Sequence, residues 1–399
     1  MVDVSNELPR PNTFRVSSSG FSNYAARSDH QHTLSEELSA HLANLPHRNL
    51  LDNSHMSVVQ RGTSVLSGTG IAYIHADRWQ QEVFAGAFTA NSTVEVLDAP
   101  DSLPGTRSLK IQGTSALTLG AGNYVMLRQS LEESRVYPIN FGTSYASPLV
   151  ATFWVKANQT GIYTFELENF YSSRRITRSF TITTSLVWQK ITIVIPPDTG
   201  GSKIPFGANY GFSFNIWLAG HIPTFGALAR EFGWTTYAAS GTSRIKDQVN
   251  CFSTINNSFW FTGAQLEVGP APTPLETIPR IQTVTVCRRY LNVLGGGGNL
   301  FETVASGMSI STTVFRALVP LPVPMRTTAP STFWIAPFRV VDSNLAVYPV
   351  TAMATVASDS SANFLSFDVS SSSAYVTGRP GWLSVDNTSA ARLVISSET

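Results

Sequence analysis

The sequence predicts a mostly β protein: an extended leader with a short helix, then a β-sandwich of the jelly-roll type, then a smaller C-terminal β-sandwich. Three observations indicate this fold class. Apolar and polar residues alternate with a period of two over many short runs, and Gly, Pro and Asn separate those runs. No helix-length periodicity interrupts them after residue 48, which disfavours a parallel α/β sheet.

The leader, residues 1–47, contains the one clear helix signal. Thr33 and Glu36 have the spacing of a capping box, and Pro46 ends the pattern. A helix of about thirteen residues is marginal alone in water, so its apolar face requires a partner. That partner is either the body of the protein or further copies of the chain. The leucines expected on this face are Leu34, Leu38, Leu42 and Leu45.

Residues 48–270 are predicted to form the jelly roll. Trp217 and Trp260 lie opposite the core face of their strands, where they would meet a second layer or a neighbouring subunit. The aromatic residues expected in the core alternate along two strands: Phe212, Phe214, Phe259 and Phe261.

A proline-rich linker at 271–280 separates the jelly roll from a predicted C-terminal β domain at 281–399. Alternation in this last part predicts further strands, the first of them at 281–290. No repeat of fixed period is present, so a β-helix or a propeller is disfavoured.

Charge excludes some function classes. The chain has 27 Lys and Arg against 26 Asp and Glu, so its net charge of +1 indicates neither nucleic-acid binding nor attachment to an anionic membrane. No apolar segment suits insertion into a membrane, and the N-terminus shows no secretory signal, so synthesis in a cytoplasm is expected. Cys251 and Cys287 are expected to be buried free thiols.

His30 and His32 form the sharpest local motif. Two histidines at i and i+2 point the same way in an extended chain. Three such pairs around a trimer axis would supply six imidazoles to a structural transition metal. The alternative is that both histidines order the turn before the helix through hydrogen bonds. No other cofactor is expected.

Two loop clusters are candidate glycan-binding sites, because sugars are bound by aromatic faces together with planar polar groups. In each case the alternative is a loop that folds back on its own sheet. The candidates are Tyr171, Arg174 and Arg175 in one cluster and Trp234 and Tyr237 in the other.

No catalytic residue is predicted, and the chain is expected not to be an enzyme. Glu166 and Glu168 would share the solvent face of a strand, and a glycosidase needs two carboxylates that flank a sugar. Paired acids on a sheet are more often ordinary surface. The loop Gly295–Gly298 lacks the Lys-Ser/Thr of a phosphate-binding loop.

An ordered series of short motifs resembles phage and prophage tail-fibre and minor structural proteins. It covers most of residues 20–330, and single motifs are weak. The motifs include Tyr24–His32 in the leader, Asn49–Asn53 and Ala76–Trp79 at the start of the jelly roll, Phe153–Ala157 within it, Thr262–Gly269 at its end, and Cys287–Tyr290 beyond it.

This resemblance implies a virion protein made in the host cytoplasm, a fibre or spike subunit that attaches to host cell-surface polysaccharide through a jelly roll like a carbohydrate-binding module. Such fibres are typically homotrimers, and the leader would dock to other virion proteins. Two alternatives remain open: a polysaccharide depolymerase on a fibre, and a purely architectural neck, collar or head fibre.

Overall fold

A computed structural model describes residues 47–61, 64–67, 69–103, 105–120, 122–205, 207, 211–220, 232–236 and 247–398. The histidine pair, the leucine stripe of the leader and Tyr237 lie outside the described residues, so the metal, the oligomerisation helix and that glycan contact stay predictions.

Two sheets form the N-terminal sandwich, and every strand pair in them is antiparallel. Strands are numbered in chain order, and for each sheet they are given below in the order in which they lie side by side. The six-stranded sheet contains β1 (Ser64–Ser67), β4 (Thr89–Glu95), β5 (Ser108–Gly113), β13 (Ser258–Val268), β7 (Leu149–Ala157) and β10 (Gln189–Ile195). The seven-stranded sheet contains β12 (Phe232–Thr236), β9 (Arg174–Ile182), β8 (Gly161–Asn169), β11 (Phe212–Gly220), β6 (Tyr124–Ser130), β3 (Gln80–Phe84) and β2 (Gly70–Tyr73).

The core lies between these two sheets and is rich in aromatic rings. Trp79 is fully buried and makes edge contacts with Phe261 of β13 at 4.9 Å and Phe214 of β11 at 6.0 Å, so it joins the sheets. Phe212, Phe214, Phe259 and Phe261 are all fully buried, as their alternation predicts. The mostly β fold and its sandwich are confirmed. Both cysteines are buried free thiols.

Helices are few among the described residues. The turn α1 (Glu133–Val136) leads into a 3-10 turn (Tyr137–Ile139), a second 3-10 turn covers Ala357–Asp359, and α2 (Arg280–Arg288) follows the proline-rich segment. The strand predicted at 281–290 is therefore wrong. Its β-branched residues suit a strand, but α2 begins after Pro279 and buries Thr283 and Cys287, one turn apart, so tertiary packing overrides local preference.

The C-terminal part also differs from the expected sandwich, because six strands close into a barrel beside a three-stranded sheet. In the barrel the order is β15 (Thr303–Ser309), β16 (Phe315–Pro320), β20 (Phe364–Ser371), β19 (Val347–Thr355), β18 (Phe338–Asp342) and β21 (Pro380–Val385), which returns to β15. The small sheet contains β14 (Leu291–Gly295), β22 (Arg392–Ser396) and β17 (Ser331–Ile335). Closure leaves the barrel without free strand edges.

The narrow barrel requires glycine where strands approach most closely. A Cβ added to Gly307 would overlap the carbonyl oxygen of Arg316, and one added to Gly381 would overlap that of Val341. Neither backbone could accept a side chain without moving, so these residues allow the tight curvature of the barrel wall.

A buried polar junction joins the sandwich to the C-terminal part. The guanidinium of Arg78 lies 3.5 Å from the ring centre of Tyr290, and its Nε donates to Asp52 Oδ2 at 3.1 Å. Glu132 accepts hydrogen bonds from Arg289, and Gln60 donates to the main-chain oxygen of Leu291 at 2.9 Å. The contacts between the two parts are therefore largely charged.

Burial and neighbouring groups shift the pKa values of ionisable side chains at this junction. Burial alone would lower the pKa of Arg78, but the neighbouring Tyr290 and Asp52 raise it above its ordinary value. Burial also raises the pKa values of the Asp77 carboxyl and the Cys287 thiol. Arg78, Asp77 and Cys287 are each at most 3% exposed, so these three groups are almost fully shielded from solvent.

Candidate functional site

The outer face of the seven-stranded sheet, which points away from the core, is the candidate functional site. Strand alternation sets it: where Val125 and Leu127 of β6 enter the core, their neighbours in the chain point outward. The register aligns these outward residues across β3, β6, β11 and β8. The polar and aromatic members are Gln80, Glu82, Phe84, Tyr124, Arg128, Ser130, Ser213, Asn215, Trp217, Thr164, Glu166 and Glu168.

Three aromatic rings form a row across this face. Phe84 of β3 lies opposite Tyr124 of β6, with ring centres 5.8 Å apart and planes 18° from parallel. Tyr124 meets Trp217 of β11 edge-on at 5.1 Å. Exposure falls along the row from Phe84, which is 50% exposed, to Trp217, which is 4% exposed. The accessible end is therefore a two-ring platform of Phe84 and Tyr124.

Charged groups lie directly beside this platform. The hydroxyl of Tyr124 donates to Glu82 Oε1 at 2.6 Å, and Arg128 pairs with the other oxygen of the same carboxylate. Arg128 also lies over the ring of Phe170 at 5.3 Å. The aromatic rings thus have a carboxylate and a guanidinium at their border, and aromatic rings together with planar polar groups are the elements that bind sugars.

A second polar network lies deeper on the same face. Asn215 donates to Glu166 Oε1 at 3.0 Å, Ser213 donates to Asn215, and Arg175 pairs with Glu166 at 3.7 Å. Glu166 and Glu168 lie on the same face of β8, as predicted, but Glu166 is only 1% exposed, so the prediction that both acids face solvent is wrong. Glu166 is instead half of a buried ion pair, because its cross-strand neighbours supply an amide and a guanidinium.

The sequence-predicted glycan residues fall into different places. Arg174 and Arg175 are adjacent on β9 and so point to opposite faces of the sheet. Arg174 is held by Asp198, with Nε–Oδ2 at 2.5 Å and Nη2–Oδ1 at 2.8 Å. Tyr171, in the turn before β9, is 50% exposed. The structure does not gather these residues around one surface.

Trp234 lies near Arg174 at the edge of the sandwich. Its ring packs edge-on against Phe141 at 5.1 Å, and its Nε1 donates to the main-chain oxygen of Pro196 at 2.8 Å. Arg174 Nη2 in turn contacts the main-chain oxygen of Trp234 at 3.4 Å. This arrangement corresponds to the alternative in which the loop packs back on its own sheet.

The platform residues were absent from the sequence-predicted set. Their signal is the alternation Tyr124–Met126–Arg128 against buried Val125 and Leu127, which marks a polar-aromatic outer face. The contact with Phe84 carries no local signal, because the two residues are far apart in the chain and only the β3–β6 register joins them.

No group of three or more His, Cys, Asp or Glu that could hold a metal occurs among the described residues. In the same part of the chain, no helix is long and apolar enough to cross a membrane.

Comparison with known proteins gave distant structural likenesses only. No family model matches the sequence, and no curated protein matches it. The chain is similar to the enzymatically active domain of bacteriophage CBA120 tailspike protein 4, with a TM-score of 0.29 and 9% identity over 56% of this chain and 22% of that one.

Two carbohydrate-binding modules are similar to the chain with TM-scores and identities as low as those of the tailspike domain. TmCBM61 in complex with β-1,4-galactotriose gives a TM-score of 0.27 and 9% identity over 56% of this chain and 99% of that one. The family 11 module of Clostridium thermocellum Lic26A-Cel5E gives a TM-score of 0.25 and 11% identity over 51% of this chain and 97% of that one. The chain spans about a fifth of the tailspike domain, since 22% of that domain is covered.

Proposed function

We propose that this protein binds a carbohydrate chain on the outer face of its seven-stranded sheet. The observation that carries the proposal is the Phe84–Tyr124 platform with Glu82 and Arg128 at its border. A pyranose ring has apolar C–H faces and an equatorial rim of hydroxyls. The platform offers a surface for the first and charged hydrogen-bonding partners for the second.

In the fuller proposal the chain is a fibre or spike subunit of a phage virion. The ordered motifs of the leader and jelly roll support this role, in which the leader docks to other virion proteins and trimerises. The sandwich then contacts cell-surface polysaccharide of the host. Several copies on one particle would give avidity from weak single sites.

The proposed role is binding without cleavage. On the outer face, the carboxylates of Glu82 and Glu166 are each paired with an arginine and a further hydrogen-bond donor. Both carboxylates are thus engaged by donors of the protein itself, an arrangement that suits groups of a binding surface. The rival, a depolymerase, predicts that the polysaccharide becomes shorter on incubation with the protein.

The test compares Phe84→Ala with wild type for binding to purified surface polysaccharides of candidate hosts. Covering about 60 Å² of the ring at about 25 cal/mol per Å² stabilises a complex by about 1.5 kcal/mol. The variant should therefore bind about tenfold more weakly, which equals about 1.4 kcal/mol. Phe333→Ala is the matched control, because Phe333 is similarly exposed, at 54%, on β17 of the C-terminal part.

Equal loss of binding in both variants, or in neither, would refute the platform as the binding surface. Size-exclusion chromatography of the polysaccharide after incubation separates binding from cleavage. Unchanged adsorption for every variant of the face would favour the purely architectural fibre.

A further inference from the structure

The outer face of the six-stranded sheet carries a second, separate cluster of aromatic and charged residues. Trp260 of β13 lies at its centre, with Lys110 of β5 and Lys156 of β7 as its direct cross-strand neighbours. Glu95 accepts a hydrogen bond from Trp260 Nε1 at 2.9 Å and pairs with Lys110 at 3.2 Å. This arrangement orients the indole ring of Trp260.

Lys156 occupies the other side of the cluster and holds a carboxylate. Its Nζ lies 4.6 Å from the ring centre of Trp260 and 5.0 Å from that of Trp188. Both side-chain oxygens of Asp98 accept hydrogen bonds from Lys156 Nζ, and Trp188 Nε1 donates to Asp98 Oδ1 at 3.2 Å. An ammonium and an indole N–H therefore converge on one carboxylate beside an aromatic surface.

The carboxylate comes from a loop rather than from the sheet. Asp98 follows β4, and the residue before it, Leu97, is 98% exposed. Among the described residues, no main-chain hydrogen bond outside the strands involves residues 96–99. The side chain of Asp98 therefore attaches this short segment to the outer face of the sheet.

The carboxylate of Asp98 is ionised and partly open to solvent. Burial works against ionisation of Asp98, but hydrogen bonds from Lys156 and Trp188 lower the pKa of its carboxyl, so it is charged at neutral pH. The side chain of Asp98 is 33% exposed and that of Lys156 is 11% exposed, so water reaches the ion pair from the Asp98 side. A carboxylate from outside would meet the same donors.

We propose that Lys156, Trp188 and Trp260 form a subsite for the carboxylate of an acidic sugar, such as a uronic acid, and that Asp98 fills this subsite in the free protein. The ligand carboxylate replaces that of Asp98 on Lys156 Nζ and Trp188 Nε1. The subsite lies on the opposite sheet from the Phe84 platform and does not depend on it.

The test measures binding of trigalacturonate to the full chain by calorimetry, with its methyl ester as the uncharged probe. Wild type should bind the acid and not the ester. Asp98→Ala removes the internal competitor and should bind the acid about fivefold more tightly. Lys156→Met should abolish binding while it keeps the aliphatic stem, and Trp188→Phe, which removes only the N–H donor and the larger ring, should weaken binding severalfold.

Lys190→Met is the matched control, because Lys190 is exposed on the same face of the neighbouring strand β10 and lies outside the subsite. It should bind like wild type. In nitrogen-15 spectra the indole N–H signal of Trp188, assigned as the one lost in Trp188→Phe, should shift on addition of the acid.

Several results would overturn the proposal: equal binding of the methyl ester, equal binding of a triglutamate peptide, unchanged affinity in Asp98→Ala, or retained affinity in Lys156→Met. Phe84→Ala, measured in parallel, should leave trigalacturonate binding intact. Loss in Phe84→Ala alone would assign the acid to the platform and refute the subsite, whereas loss in Lys156→Met alone would support the subsite whatever the platform binds.

Discussion

Replacing Arg78 by methionine should separate the stability of the sandwich from that of the C-terminal part. Arg78 is 3% exposed and contacts three groups: Asp52 at 3.1 Å, the main-chain oxygen of Ser130 at 2.7 Å, and the ring of Tyr290 at 3.5 Å. Removing one partner of a buried ion pair costs about 3–5 kcal/mol. Because Arg135 still pairs with Asp52, we expect the lower end, about 3 kcal/mol.

The assay is denaturant unfolding followed by tryptophan fluorescence, with far-ultraviolet circular dichroism as a second probe. Wild type should unfold in one transition, and Arg78→Met should show an earlier transition for the C-terminal part. Arg280→Met is the control, because Arg280 is exposed and should change stability by less than about 0.5 kcal/mol.

A double-mutant cycle isolates the contact across the junction. Tyr290→Leu removes the ring that the guanidinium covers, and a desolvated cation–π contact contributes about 2 kcal/mol. The coupling free energy of the two substitutions should therefore be about 2 kcal/mol. A coupling near zero, or a loss below about 1 kcal/mol in Arg78→Met, would refute the role of this junction.

Two further predictions concern the barrel and pH. Gly307→Ala should destabilise the C-terminal part by about 3 kcal/mol or prevent its folding, because the new Cβ meets the Arg316 carbonyl. Gly233→Ala is the control and should be neutral, because the space around Gly233 is open. Equal melting curves for the two variants would contradict this prediction. Asp98 has a lowered pKa, so its contribution to stability is present above the unfolded-state pKa of about 4 and is lost as pH falls through the folded-state value. Asp98→Asn should thus be about 0.5 kcal/mol less stable than wild type near pH 6, and this difference should shrink as the pH falls. A difference that grows on acidification would contradict the assignment.

Some of this protein follows from the sequence by itself. The alternation of Phe212 and Phe214, and of Phe259 and Phe261, determined strands whose aromatic face is buried, because a β-strand repeats every two residues. The same rule determined that Trp217 and Trp260 lie opposite that face. The period of hydrophobic residues and the positions of turn residues depend only on neighbours in the sequence, so a single sequence is enough to predict them.

Tertiary structure alone decided the rest. It turned the β-branched run at Arg280–Arg288 into a helix that buries Thr283 and Cys287. It closed the C-terminal strands into a barrel, and it placed Phe84 beside Tyr124. Each outcome depends on which distant segments pair and in which register, and the local sequence pattern does not determine this pairing. The candidate platform and the Asp98 cluster are products of such pairing. Periodicity placed Trp260 on the outer face, but it did not indicate Phe84, Tyr124, Lys156 or Asp98 as members of the platform or the cluster.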